Sequence, residues 1–328
     1  MASRAAWLSY VGGLKQEEIA DRLNLSRVKV NRLIAYAHRR GLVRVFVDGS
    51  PAETVALEDR LVKGYGLDFC NVAPNVGEPD GEIPLRSLGV EGARFLHRRL
   101  ERGGNPVIGF GHGRTLASVV SHLPRLPQRG VRYVSLLGSL TRNAAANPFD
   151  VIHRLAAQTG GESYFLPVPF FADSAADKAV FLAQKIVRDA FELARAAELV
   201  IIGIGEVTPS SHMVRTGMIT RDEFAEVREL GAVGEVLGQF VDSEGRLVPA
   251  EINERSIGLG LGDLAGKFVV AVAGGRIKAA AIAAVLRTGI IRGLITDELT
   301  AGLLASEPVE KPKAAAAVTV ASTVEVVR

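Results

Sequence analysis

The chain of 328 residues has a single cysteine, Cys70. One cysteine excludes an intrachain disulfide and a CxxC zinc site. The six histidines are scattered and form no HExxH or HxH pair, so no metal site and no cofactor is expected. No apolar run reaches the roughly 18 residues that span a bilayer. The N-terminus carries no signal-peptide pattern, so a cytoplasmic protein without membrane contact is expected. GKS and GKT are missing from the glycine-rich loops, which excludes a P-loop. A dinucleotide site is also disfavoured. The string GFGHGRT lacks the third fingerprint glycine, and no acidic residue ends the following strand about 20 residues on.

What is present divides unevenly along the chain. Residues 1–47 hold nine Lys/Arg and three Asp/Glu, a net +6, which leaves the remainder at −3 within the overall +3. A basic head on a mildly acidic body favours an approach to phosphates and makes binding salt-dependent. In the head, Ile19, Ala20 and Leu23 mark one face of a helix with Glu17 and Glu18 in its first turn. Lys15 stands where a Ser or Thr cap is usual. After a break at Asn24-Leu25, Ser26 is a suitable N-cap for a second helix. Val30, Leu33, Ile34 and Ala37 repeat there at i, i+3, i+4 and i+7. Arg27, Val28, Lys29, Asn31 and Arg32 lie on the other face, within the first two turns, where a recognition helix meets base edges. Arg can pair with guanine and Asn with adenine, whereas Lys29 suits a phosphate. Gln16, at the start of the first helix, completes the expected DNA-contacting set. Arg39-Arg40-Gly41 ends the second helix, and Val43–Val47 reads as the strand of a β-wing. The pattern is a winged helix-turn-helix for double-stranded DNA, and the alternative is a small basic helical hairpin used for dimerisation or solubility.

Three segments are expected: 1–50 as the DNA-binding domain, 51–306 as a second, larger domain, and 307–328 as a low-complexity, poorly ordered tail rich in Ala, Val and Thr. After the turn-rich Asp48-Gly49-Ser50-Pro51, a helix is expected over Thr54–Val62. Buried strands are expected at Pro106–Phe110, Tyr133–Leu137, Leu199–Ile204, Lys267–Val272 and Gly293–Ile295. Helices are expected around Leu88–Arg102, Ala175–Ala197 and Ile277–Arg287. The alternation implies an α/β fold with a mostly parallel sheet, in which ligands bind outside the carboxyl ends of strands. Three glycine-rich loops follow strands: Gly109 to Thr115, Gly203 to Glu206, and Ala273 to Lys278. The first and third open helices, which offer backbone N–H groups to an anion. Arg114 and Thr115 add a charged and a hydroxyl donor suited to a phosphate or a polyol.

These strings together resemble the SorC family of bacterial transcriptional regulators, the DeoR-type sugar-binding group, from about Ala5 to about Ala305. The specific ones are QEEIADRLNLSRVKVNRL, VIGFGHGRTL, GAVGEVLGQFVDSEGRLV and AGGRIKAAAIAAVLRTGIIRGLITDELTA. The resemblance implies an effector domain like sugar-phosphate isomerases that binds a sugar, a polyol or a phosphorylated derivative and adjusts DNA affinity. By position it implies an effector site at Gly111, His112, Gly113, Arg114 and Thr115, with Gly138 and Ser139 as pocket wall. A second ligand loop falls at Gly274, Gly275 and Lys278, with Asp242 on the inner rim. Many members have Trp where this chain has His112. With SLLGSLTRNAAANPFDVIHRLAAQTG and LPVPFFA, that departure looks closest to the erythritol-catabolism regulators. His112 is expected either to donate to a polyol hydroxyl or to be held by a backbone carbonyl. Asn143, Asn147, Asp150 and His153 form a polar cluster that binds ligand or caps a helix. Asp297 reads as an N-cap for the helix after it.

The expected function is repression of a carbohydrate or sugar-alcohol operon by a homo-dimer or tetramer. A single head makes too few contacts to select an operator. The rival is an active sugar-phosphate isomerase carrying a DNA-binding head. Glu206, Asp242 and Glu235 are its candidate bases, but the sequence shows no compact acid–base pair of the kind isomerisation requires.

Overall fold

A computed structural model describes residues 1–40, 42–43, 52–75, 82–104, 106–127, 130–140 and 151–306. Residues 44–47 of the expected wing, Gly41, the cluster Asn143, Asn147 and Asp150, and the tail fall outside these residues. The chain forms two compact units, Met1–Gly49 and Ser50–Arg328.

The first unit holds α1 (Ala2–Tyr10), α2 (Gln16–Leu23) and α3 (Arg27–Arg39). Ala5 and Leu8 of α1, Ile19 and Ala20 of α2, and Val30 and Ile34 of α3 share one core. The sequence reading has two helices here. It misses α1, whose residues ASRAAWLSY carry no side-chain cap and no charge pattern at either end. The turn between α2 and α3 is tight because Asn24 adopts a left-handed conformation, φ 51°, that Asn tolerates. Ser26 Oγ accepts from the Lys29 N–H at 3.3 Å and caps α3. Lys15 is a better start for α2 than its side chain suggests, since the Glu18 carboxylate accepts its backbone N–H at 2.6 Å.

The second unit begins with α4 (Ala52–Tyr65), β1 (Phe69–Ala73), α5 (Leu85–Glu101), β2 (Val107–Phe110), α6 (Arg114–His122), β3 (Arg132–Leu140), α7 (Ile152–Thr159) and β4 (Glu162–Pro169). It continues through α8 (Ala175–Ala183), α9 (Lys185–Arg195), β5 (Leu199–Ile202), β6 (Gly205–Glu206), α10 (His212–Arg215), α11 (Arg221–Glu229), β7 (Gly234–Val236) and β8 (Gln239–Val241). Last come α12 (Glu251–Arg255), α13 (Leu261–Leu264), β9 (Phe268–Val272), a 3-10 turn at Arg276–Lys278, α14 (Ala279–Arg287), β10 (Gly293–Asp297) and α15 (Glu298–Ser306).

Seven strands pair in parallel in the order β1-β10-β9-β5-β2-β3-β4. Strands buried on both faces explain the continuous apolar runs VIGF, LVII and FVVAV. The sheet builds outward from β2 through β3 to β4, then returns to the other side of β2 with β5, β9 and β10. The order reverses between β2 and β5, which opens a crevice at their carboxyl ends. A three-stranded antiparallel sheet, β6-β7-β8, stands beside it.

In the main sheet and its covering helices, the structure departs from the sequence reading at β4, at β1 and at α8–α9. β4 holds Pro167 and Pro169 yet is a strand, because it lies at the sheet edge where a missing N–H is tolerated. β1, at the opposite edge, is five residues long and only partly buried, too brief for a periodic signal. The helix expected over Ala175–Ala197 breaks at Gln184, whose ψ is 133°, into α8 and α9. α9 buries Val187, Phe191 and Ala194 at i, i+4 and i+7, whereas α8 buries none of its residues. Cys70 is buried on β1, and burial pushes its thiol pKa up, which keeps it unreactive. Among the described residues no helix is long and apolar enough to cross a membrane.

Candidate functional site

A cavity opens at the reversal point. Its walls include Gly111 to Thr115 after β2, Gly203 to Glu206 after β5, Phe170 after β4, His212 of α10, Glu235 of β7 and Lys278. Each local segment has a reason to be there. Gly113 has φ 127°, a backbone state that L side chains rarely adopt, and it serves as N-cap of α6 without a side-chain cap. α6 therefore begins at the cavity wall with Arg114 and Thr115 in its first turn. Gly205 is required for a different reason. A Cβ at this position would strike the Glu235 carboxylate, which lies over the Gly205 backbone across the β6–β7 pair.

The charged groups of the cavity are arranged unequally. Lys278 is buried; its Nζ donates to the Ile204 carbonyl at 2.6 Å and lies 3.2 Å from Glu206 Oε2. This pair is buried on both sides, so each member needs the other. Glu235 Oε1 accepts the Gly238 N–H at 2.6 Å. Burial pushes the Glu235 pKa up to about 7; the neighbouring Glu206 adds to the rise, while the Gly238 hydrogen bond and Lys278 oppose it. His212 shifts downward from its ordinary value, first through burial and then through the nearby Arg114, so its ring is neutral at pH 7. Arg114 has no carboxylate partner among the described residues.

His112 is also fixed by its neighbours. Ser135 O–H donates to the Leu137 carbonyl at 2.8 Å, so Ser135 Oγ accepts from His112 Nε2 at 3.0 Å. This contact holds the Nε2 edge of the His112 ring against Ser135. In the neutral ring Nδ1 is an acceptor. The ring lies 6.4 Å from that of Phe170, at the same wall.

The structure thus brings together Gly111, His112, Gly113, Arg114, Thr115 and Lys278 from two distant loops of the sequence. It does not bring the other expected residues to this wall. Asp242 closes the hairpin after β8. Its carboxylate accepts from the Glu244 and Arg246 N–H groups and from Arg246 Nε, each at 2.9 Å. Gly275 N–H donates to Asp297 and Thr300, both at 2.8 Å, so the Gly274-Gly275 loop spends its donor inward. Asp297 also accepts the Thr300 N–H at 3.0 Å, the N-cap of α15. Gly138 is pressed against the Pro169 carbonyl of β4, and its N–H donates to Ile257. Ser139 is buried beside it, and its hydroxyl has no hydrogen-bond partner among the described residues. His153 lies in the first turn of α7.

Two cavity residues had no reading as ligand groups in the sequence. His212 sits in a short polar segment without periodicity, and Glu235 stands out only as a candidate base. The sequence shows no compact acid–base set, yet Glu206, Glu235, His212 and Lys278 converge here from four separate segments.

In the head, Arg27 Nη1 lies 3.0 Å from Glu17 Oε1, with both side chains largely exposed. Val28 is 62% exposed. Lys29, Asn31 and Arg32 are exposed on the same helix, with Gln16 at the start of α2.

A helix-turn-helix unit joined to a parallel α/β unit with a polar cavity at its strand-order reversal is the build of a ligand-responsive transcriptional regulator. The profile of the Sugar-bind family, described as "Putative sugar-binding domain", matches residues 50–305. The erythritol catabolism regulatory protein EryD of Brucella abortus is 47% identical over 308 residues, 94% of this chain and 97% of that protein. The transcriptional regulator LsrR of an Enterobacter species is 33% identical over 92% of this chain and 91% of its own length. The full-length sorbitol operon regulator SorC of Klebsiella pneumoniae has the same fold, with TM-score 0.71 and 24% identity over 93% of this chain and 97% of that one. The chain belongs to the Sugar-bind family of SorC/DeoR-type transcriptional regulators. Its relatives are regulators, so the convergent acid–base groups are read as ligand recognition and not as an isomerase centre.

Proposed function

We propose that the chain represses a carbohydrate or sugar-alcohol catabolic operon and releases its operator when a sugar, a polyol or a phosphorylated derivative enters the cavity. The supporting observation is the convergence of Gly111–Thr115 and Lys278 on one polar cavity at the sheet's reversal point. The cavity measures about 100 Å³. At about 10–15 Å³ per water-sized group, that is room for roughly seven to ten such groups, the scale of a small polyol. Arg114 and the α6 N-terminus favour an anionic end, and the Glu206–Lys278 pair and Glu235 favour hydroxyls. Erythritol and its phosphates are the first ligands to test, because of the likeness to EryD.

Operator contacts are assigned to Gln16, Arg27, Val28, Lys29, Asn31 and Arg32. A homo-dimer or tetramer presents several heads to repeated half-sites, and effector binding changes their spacing. The protein works where its operator is, in the cytoplasm. A thermal-shift screen of the full chain against erythritol, erythritol 4-phosphate and related sugar phosphates tests the sensor. A ligand of the folded state raises the melting temperature, and no shift with any of them argues against the proposal.

A further inference from the structure

Glu235 is placed differently from every other charged group in the cavity. Its Oε1 accepts from Gly238 N–H, while Oε2 lies over Gly205 and has no hydrogen-bond partner among the described residues. Of the other charged and titratable groups that line the cavity, Glu206 and Lys278 act on it directly. β6 supplies Glu206, the turn before α14 supplies Lys278, α10 supplies His212, and α6 supplies Arg114. Lys278 is already held by Glu206 and the Ile204 carbonyl. His212 is neutral. No cation in the cavity is therefore committed to Glu235.

We infer that effector binding is proton-linked through Glu235, which takes up a proton when an anionic ligand enters and stays a neutral acid in the complex. The inference rests on the reading of this cavity as the effector site. An incoming anion adds to the repulsion from Glu206, so an ionised Glu235 would face it with bare lone pairs. A neutral carboxyl instead offers one O–H to a ligand oxygen. Burial pushes the pKa of this group up to about 7, so the change falls at ordinary pH. Above that value the free form is ionised and the bound form is protonated. Affinity for an anion then falls as pH rises, by up to about tenfold per pH unit. The second ionisation of a phosphate, near 6, lies below this window, as does His212. An uncharged polyol produces a smaller proton uptake, so the proton count distinguishes the two ligand classes.

The test is calorimetry of the full chain with erythritol 4-phosphate at pH 7.5, in two buffers of different ionisation heat. The wild type is expected to take up about 0.5 to 0.8 proton, and Glu235→Gln to bind with none. Binding by the wild type without proton uptake overturns the inference, as does equal uptake by Glu235→Gln. Should that variant not fold, the wild type decides alone. Its log affinity must fall between pH 7 and 8.5, and a flat profile overturns the linkage. Binding of free erythritol alone, without proton exchange, also overturns the linkage but leaves the effector reading intact. If erythritol, erythritol 4-phosphate and inorganic phosphate all fail to bind, the effector reading falls and the inference with it.

Discussion

The Lys278 ammonium lies 3.2 Å from the Glu206 carboxylate, and both side chains are buried at the cavity wall. They lie 72 positions apart in the sequence, yet neither is tolerable alone. Removing one member of a buried pair leaves an uncompensated charge, a loss of about 3–5 kcal/mol. Lys278→Met is expected to lower stability by that order, and Glu206→Gln combined with it to restore much of the loss. Urea unfolding of the two single variants and the double variant measures the coupling. Additive losses would mean that the pair is not the unit described.

The close approach of Gly205 and Glu235 gives a second prediction. Gly205→Ala places a methyl against the Glu235 carboxylate, and overpacking of this kind costs about 1–3 kcal/mol. Glu235→Ala in the same background should relieve it. Chemical denaturation of Gly205→Ala and of the double variant checks this, and a Gly205→Ala variant as stable as the wild type would show that the wall gives way freely.

Stability should depend on pH through the same carboxyl. Its folded value, about 7, lies above the ordinary glutamate value of 4.5. Between those values the folded state holds more protons than the unfolded chain, so stability falls as pH rises from about 4.5 to 7 and then levels. Glu235→Gln should remove this component. The variant is expected to gain on the order of 2 kcal/mol over wild type at pH 8 and little at pH 5. Melting curves at both pH values test the sign, and an equal effect at both contradicts it.

The head makes a prediction of a different kind. Arg32→Ala should cost about 1–3 kcal/mol of specific operator affinity, whereas Lys29→Ala should weaken all DNA similarly and reduce the salt slope by about one. Glu17 competes with DNA for Arg27, since the two are paired at 3.0 Å. Glu17→Ala should therefore tighten operator binding slightly. Fluorescence anisotropy across salt concentrations separates these effects, and unchanged operator binding by Arg32→Ala would remove α3 from the interface.

Much of this architecture was legible in the chain. Continuous apolar runs marked β2, β5 and β9 because strands buried on both faces need no alternation. Ser26 and the i, i+3, i+4, i+7 spacing marked α3. The Gly111–Thr115 loop was legible since a glycine turn opening a helix has a local signature. Edge strands were not: β4 carries prolines, and β1 is short. Asp242 and the Gly274-Gly275 loop look like ligand groups in sequence because glycine and aspartate serve turns as readily as sites. Only the hydrogen bonds to Arg246 and from Gly275 to Asp297 separate the two uses. The convergence of Glu206, His212, Glu235 and Lys278 depends on strand order and on the small β6-β7-β8 sheet, neither of which any local pattern encodes.

The central claim is that the cavity at the β2–β5 reversal governs the grip of the head on DNA. Its most direct test is anisotropy of a labelled operator fragment from upstream of the chain's own gene, titrated with the full-length protein with and without erythritol 4-phosphate or erythritol. The wild type is expected to change its operator affinity by about 5- to 150-fold with ligand. The Arg114→Ala/Thr115→Val variant is expected to bind the ligand-free operator equally well and to lose that response. A variant that responds to ligand as the wild type does would contradict the account.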